Sequence, residues 1–118
     1  MGIPWPDENS RMLFIRYLTL ELLLMEKISK GHDPTALVNE LEDILTNHFP
    51  RSASFIKKKL RSADPEAVFN EARVVVWAEA RSRNERGGRA VVEGKWTPKE
   101  IADDINECFR EARRRLNL

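Results

Sequence analysis

The 118-residue chain is long enough for one domain and too short for two ordinary ones. Hydrophobic residues make up 42% of the sequence and charged residues 33%, a balance that is typical of a folded protein and excludes a disordered chain. The formal net charge of +1 gives no general attraction to polyanions, so any contact with nucleic acid would depend on local clusters of charge.

The single cysteine, Cys108, excludes an intramolecular disulfide. No basic segment of the signal-peptide type precedes the first apolar stretch, residues 12–28, and charged side chains interrupt that stretch. These features predict a cytoplasmic protein without membrane attachment.

The hydrophobic periodicity predicts an all-α protein, a compact bundle of about five helices with a long apolar central first helix. Helix 1 is expected over residues 9–29, with Asn9 or Ser10 as its N-cap and Gly31 just after its end. Its apolar side chains cover an arc of about 220°, about twice the stripe that a surface helix needs. Such a helix has to be covered on two sides, by its own domain or by a second copy, and a homodimer is therefore one prediction.

Helix 2 is predicted over residues 34–49, because Asp33 is a good N-cap and Pro34 suits the first helical position. Pro50 is expected to end it, and a short helix 3 follows over residues 53–61. Both helices carry apolar residues at helical spacing, so one side of each is expected in the core.

Helix 4 is expected to begin after Asp64 as its cap and to continue to about Arg83. The run Val-Val-Val-Trp at residues 74–77 leaves a helix or a strand open, since β-branched residues lower helix propensity. The flanking Ala, Glu and Arg residues favour a helix. Four consecutive apolar residues cover every side of a helix, so this part of helix 4 is expected to be largely buried.

Residues 84–96 are predicted to be a connection that contains glycines and arginines, in which residues 90–93 are either helical or extended. Helix 5 begins after Thr97, which forms a capping box with Glu100. Residues 1–118 are therefore interpreted as one helical domain in which residues 1–8 form a lead-in.

An acidic stripe on helix 5 raises the question of a metal site. Carboxylates at this spacing could hold a divalent cation, but a solvated helix face gives the same pattern. Because neither histidine lies in a ligand motif, we expect a solvated face and no metal or cofactor. The stripe consists of Glu100, Asp104, Glu107 and Glu111.

Glu21 is the buried-polar candidate, because its direction on helix 1 points into the middle of the apolar arc. A carboxylate buried there must be paired, hydrogen-bonded or protonated. We expect a salt bridge to an arginine of another helix, or exposure at a gap in the packing. The alternative is an acid with a raised pKa in a pocket.

The interaction candidates are basic and aromatic residues. One group surrounds Gly87-Gly88 in a predicted basic loop, a second lies at the end of helix 5, and two tryptophans precede helices 1 and 5. The tryptophans either fix the entry angles of these helices or anchor a partner. The residues are Arg81, Arg83, Arg86, Arg89, Arg113, Arg114, Arg115, Trp5 and Trp96.

The leading functional hypothesis is a non-catalytic interaction protein, a regulator, inhibitor or adaptor that acts through protein–protein contacts. A nucleic-acid-associated regulator that uses the Arg81–Arg89 loop and the C-terminal arginines is the first alternative, and the lysines at 57–59 are a further basic group. A small enzyme built around Glu21 is the second, and it would require a pocket with at least two convergent polar groups.

Overall fold

The computed structural model describes residues 5, 7–59, 65–82 and 96–117. This part of the chain is an all-α bundle without strands, which confirms the predicted fold class. Its five helices are α1 (Glu8–Ser29), α2 (Thr35–His48), α3 (Pro50–Ile56), α4 (Pro65–Arg81) and α5 (Pro98–Arg115). None of these helices is long and apolar enough to cross a membrane.

The first helix is central, because α2, α4 and α5 all pack against α1, while α3 packs against α2 and α4. Phe14, Ile15, Tyr17 and Leu18 of α1 are fully buried. Three helices of its own chain thus cover most of the wide apolar arc of α1, whereas Ile28 at its end is 40% exposed. A homodimer stays a prediction, but it is no longer needed to shield this helix.

The N-cap of α1 is Asp7, so the prediction of Asn9 or Ser10 is wrong. Asp7 has an extended backbone, and its carboxylate accepts hydrogen bonds from the Asn9 amide at 3.0 Å and the Ser10 hydroxyl at 2.9 Å. Both residues predicted as caps are therefore donors to the true cap. Gly31 follows the helix with a φ of 70°, the left-handed conformation that glycine adopts without strain.

The start of α2 differs from the prediction by one residue. Thr35 is the first helical residue, and Pro34 occupies the capping position. Asp33 still supplies the capping interaction, because its Oδ1 accepts from the Thr35 amide at 3.0 Å and the Thr35 hydroxyl at 2.6 Å.

The short helix α3 begins at Pro50 and not at the predicted Ala53. Proline lacks an amide hydrogen, so it is suited to the first turn of a helix as well as to ending the preceding one. The helix ends at Ile56, before the predicted end at residue 61, which is not among the described residues.

The run Val-Val-Val-Trp at residues 74–77, for which the sequence left a helix or a strand open, is helical and belongs to α4. The expectation that this run is largely buried holds for Val76 and Trp77, which are fully buried, but not for Val74, which is 44% exposed. The neighbours α1, α3 and α5 leave one side of α4 open to solvent. Asp64 and Arg83, the predicted ends of this helix, lie outside the described residues.

The capping box of α5 is confirmed. Thr97 Oγ1 accepts from the Glu100 amide at 3.1 Å, and the Glu100 carboxylate accepts from the Thr97 amide at 3.0 Å. The predicted apolar side of α5 faces the core through Ile105, Cys108 and Phe109. Nearly all of the predicted connection 84–96, including residues 90–93, falls outside the part that the structure describes.

Candidate functional site

The three tryptophans of the chain meet around Arg81, in the last turn of α4. The Arg81 guanidinium carbon lies 4.0 Å from the ring centre of Trp5, 4.7 Å from that of Trp96 and 5.9 Å from that of Trp77. Trp77 and Trp96 meet edge to face with their ring centres 5.0 Å apart. Arg81 is only 2% exposed, so its charge is held inside the protein by aromatic rings.

A buried carboxylate completes this group. Asp104 Oδ2 accepts a hydrogen bond from Trp77 Nε1 at 2.6 Å and lies 2.8 Å from Arg81 Nη2. Asp104 is 5% exposed, so the expectation that it lies on a solvated stripe is wrong. Asp104 borders the apolar side of α5, and it is buried because α4 offers two donors at that border.

We call these five residues the Arg81 cluster: Trp5, Trp77, Arg81, Trp96 and Asp104. The cluster connects Trp5, which precedes α1, and Trp96, which precedes α5, to the end of α4. Arg81 therefore does not belong to an exposed basic loop, contrary to the expectation from the sequence. Trp5 and Trp96 are half-buried against the core, as the packing alternative requires.

The remaining arginines of the predicted basic loop are Arg83, Arg86 and Arg89. All three lie outside the described residues. Their proposed part in an interaction surface stays a prediction.

Glu21 is fully buried on α1 and bound to an arginine of another helix. Arg73 of α4 donates its Nε hydrogen to Glu21 Oε1. Burial raises the pKa of Glu21 to about 7, and the positive charge of Arg73 limits this rise. Glu21 therefore exchanges a proton near neutral pH, although it lies in the core.

Two buried polar atoms next to this ion pair have no hydrogen-bond partner among the described residues, the Tyr17 hydroxyl and Glu21 Oε2. Burial raises the pKa of Tyr17 well above its ordinary value, and the neighbouring Glu21 carboxylate raises it further. Tyr17 therefore keeps its proton at physiological pH, so Glu21 is the member of this group that titrates.

Arg73 also lines a surface cleft between α1, α4 and α5. The cleft has a volume of about 320 Å³ and combines apolar side chains with three guanidinium groups and one amide. We call it the arginine cleft. Its lining residues are Leu22, Met25, Arg73, Asn106, Phe109, Arg110 and Arg113.

The described residues leave much of the positive charge of this cleft unneutralised. Arg110 and Arg113 are exposed, and neither forms an ion pair with any residue that the structure describes. Arg73 and Arg113 both approach the Phe109 ring, with guanidinium carbons 4.5 Å and 5.6 Å from its centre. Because these like charges repel one another, an anion between them would be stabilised.

The sequence contains only part of the signal for this cleft. Asn106, Arg110 and Arg113 recur at i, i+4 and i+7, which places them on one side of α5. Only Arg113 is among the interaction candidates named from the sequence. Arg73 and Met25 come from other helices, and no local pattern connects them to α5.

The other two C-terminal arginines differ in their contacts. Arg115 pairs with Glu111 at 3.3 Å, and Glu111 also accepts a hydrogen bond from Arg11 of α1. Arg114 is exposed and has no ion pair with a described residue. Arg114 therefore adds to the positive charge at this end of α5, whereas Arg115 is partly neutralised.

A second cleft, of about 440 Å³, lies between the end of α1 and the start of α2. Its charges have both signs, and Lys30 pairs with Glu26 at 2.8 Å. The cleft therefore favours no ligand charge. Its lining residues are Leu23, Glu26, Lys27, Lys30, His32 and Leu37.

The remaining chemical candidates do not form a reactive site in the described part of the chain. Cys108 is buried, and burial raises its pKa to about 12, so the reactive thiolate is scarce. The described residues include no group of three or more His, Cys, Asp and Glu side chains that could hold a metal ion.

No family model matches the chain, and no curated protein and no solved structure matches it at a significant level. Its function therefore has to be inferred from its own side chains.

Proposed function

We propose that this chain is a non-catalytic interaction protein, a regulator, inhibitor or adaptor, that binds an acidic segment of a protein partner at the arginine cleft. One observation carries the proposal. Arg73, Arg110 and Arg113 converge on one cleft, and two of these three guanidinium groups have no ion pair with a described residue.

The lining of the cleft favours a protein partner. Leu22, Met25 and Phe109 provide apolar contact beside the arginines. Arginine, methionine and aromatic residues are enriched at protein interfaces, and a guanidinium holds a carboxylate through two parallel hydrogen bonds. A peptide that carries carboxylates next to apolar side chains would match both parts of the lining.

A nucleic acid would need a row of cations that follows its phosphates. Arg81 is internal, and α3, which leads into the lysines at residues 57–59, makes no contact with α5. The lysines and the C-terminal arginines therefore lie on helices that do not contact each other, and Arg81 is not open to a phosphate. This argues against the alternative of a nucleic-acid-associated regulator.

A catalytic role for Glu21 has less support than binding. A catalytic acid has to reach a substrate, and Glu21 is fully buried behind Arg73. A cytoplasmic location is also part of the proposal, since the one cysteine is a buried free thiol.

The test is the binding of a fluorescein-labelled peptide that alternates glutamate and leucine, measured by fluorescence anisotropy. The control peptide has glutamine in place of glutamate. The variant R110Q/R113Q should bind the acidic peptide about tenfold more weakly or worse, because it loses two charge-assisted contacts. The matched control R16Q/K58Q loses the same charge at exposed positions outside the cleft and should bind like the wild type.

Equal binding of the two peptides, or equal loss in the two double variants, would contradict the proposal. A gel shift with a labelled oligonucleotide is run in parallel. If the oligonucleotide binds more tightly than the peptide, and if this binding weakens steeply with salt, the nucleic-acid alternative is supported instead.

A further inference from the structure

One guanidinium group connects the arginine cleft with the interior. Arg73 donates its Nε hydrogen to Glu21, and the same side chain lines the cleft and stacks on Phe109. The Arg73 side chain is 19% exposed, whereas that of Glu21 is completely buried. An anion in the cleft and the Glu21 carboxylate would therefore share one positive charge.

We propose that binding of an acidic ligand in the arginine cleft is coupled to uptake of a proton by Glu21. This inference rests on the proposed function, because it concerns the same cleft. A protonated Glu21 no longer neutralises Arg73, so the full charge of Arg73 becomes available to the ligand. The ligand in turn places a second negative charge near Glu21 and favours its neutral form.

The surroundings of Glu21 allow this coupling. Burial raises the pKa of Glu21, and the groups that lower it are Arg73 on α4 and Tyr17 on the same helix, of which Tyr17 stays protonated near neutral pH. The buried residues of α2 are apolar. Those of α5 include two titratable groups, Asp104, which is bound in the Arg81 cluster, and the Cys108 thiol, whose pKa is about 12.

The pKa of Glu21, about 7, sets the pH range of the effect. If an anion raises the pKa of Glu21, protonation of Glu21 must tighten anion binding by the same factor. The affinity for the ligand is thus expected to fall as the pH rises through neutrality. If ligand binding raises the pKa of Glu21 by about one unit, the ligand binds about fivefold more tightly at pH 6 than at pH 8.

The decisive experiment uses the acidic peptide described above. Its affinity is measured at pH 6 and pH 8 for the wild type and for Glu21→Gln, an isosteric variant that is permanently neutral. We expect the wild type to bind about fivefold more tightly at pH 6. Glu21→Gln should bind the peptide at both pH values about as tightly as the wild type does at pH 6.

Isothermal titration calorimetry at pH 7, in buffers of different ionisation enthalpy, counts the protons taken up on binding. The variant Glu21→Gln retains every other ionisable group of the chain, so the difference in proton uptake between wild type and variant isolates Glu21. Should the variant not fold, the carboxyl carbon of Glu21 in the wild type is titrated by NMR with and without peptide. The peptide should raise the pH at the midpoint of this Glu21 titration.

The outcomes separate the two proposals. If the acidic peptide binds at neither pH, both the proposed function and the proton linkage are wrong. If it binds in a way that depends on Arg110 and Arg113, but without proton uptake and without a change in the Glu21 midpoint, only the linkage is wrong.

Discussion

Arg81 Nη2 lies 2.8 Å from Asp104 Oδ2, and neither side chain is more than 5% exposed. The same carboxylate oxygen accepts a hydrogen bond from Trp77 Nε1. Breaking a buried ion pair is strongly destabilising, because each charge loses part of its compensation in the interior. We therefore expect the Arg81 cluster to be among the parts of this protein that tolerate substitution least.

The variant Asp104→Ala should lower the free energy of unfolding by about 3–5 kcal/mol, because it breaks a buried ion pair and Arg81 and Trp77 each lose a buried acceptor. Urea denaturation followed by tryptophan fluorescence measures this loss. The neighbouring Asp103→Ala is the control, since Asp103 makes only an exposed i,i+4 pair with Lys99 and should change stability by less than about 0.5 kcal/mol. Similar losses in both variants would show that the cluster does not stabilise the fold as described.

Glu79 of α4 caps the N-terminus of α3. Its carboxylate accepts hydrogen bonds from the Ser52 amide at 2.8 Å, the Ser52 hydroxyl at 2.7 Å and the Arg51 amide at 3.2 Å. Glu79→Ala should cost about 1–2 kcal/mol, as the loss of an N-cap does. Hydrogen exchange should accelerate most in α3, and uniform acceleration across the chain would contradict a local cap. Glu71→Ala, which breaks an exposed pair with Lys59, is the control.

The raised pKa of Glu21 makes the stability of the fold depend on pH. Burial raises its pKa from 4.5 to about 7, so the folded protein binds this proton more tightly than the unfolded chain does. Its contribution to stability is complete below about pH 4.5 and is lost as the pH rises through 7. Between pH 5 and pH 8, Glu21→Gln should therefore gain about 2 kcal/mol relative to the wild type.

Urea denaturation at several pH values tests this gain. The control is Glu107→Gln, the same substitution at an exposed position of α5. A constant difference between Glu21→Gln and the wild type would mean that Glu21 has an ordinary pKa in the folded protein.

Cys108 should be protected in the native state. It is 1% exposed, and burial raises its pKa to about 12. At pH 8 a thiol reagent such as DTNB should modify it at least about a hundredfold more slowly than a free cysteine, because reaction requires the exposed thiolate. Guanidinium chloride should restore the ordinary rate, and rapid modification without denaturant would contradict the buried position.

The sequence alone determined the features that depend on residues close together in the chain. Apolar spacing predicted five helices, Thr97 and Glu100 predicted the capping box, and Gly31 marked the end of α1. These signals are readable because a helix face repeats every three or four residues and a cap involves its nearest neighbours. The fold class follows from them.

The helical spacing already indicated that Glu21 is buried, but only the tertiary structure decided which partners the buried polar groups have and that Arg81 and Asp104 are buried too. Asp104 lies at the border between two faces of α5, and Arg81 ends α4; each is inside because the other, together with the tryptophans, satisfies it. The arginine cleft likewise requires Arg73 of α4 beside Arg110 and Arg113 of α5. The sequence places α5 arginines on one side of a helix, but it does not contain the packing that brings a third guanidinium to them. Burial of a charge depends on partners that are distant in the chain, and no local pattern encodes such partners.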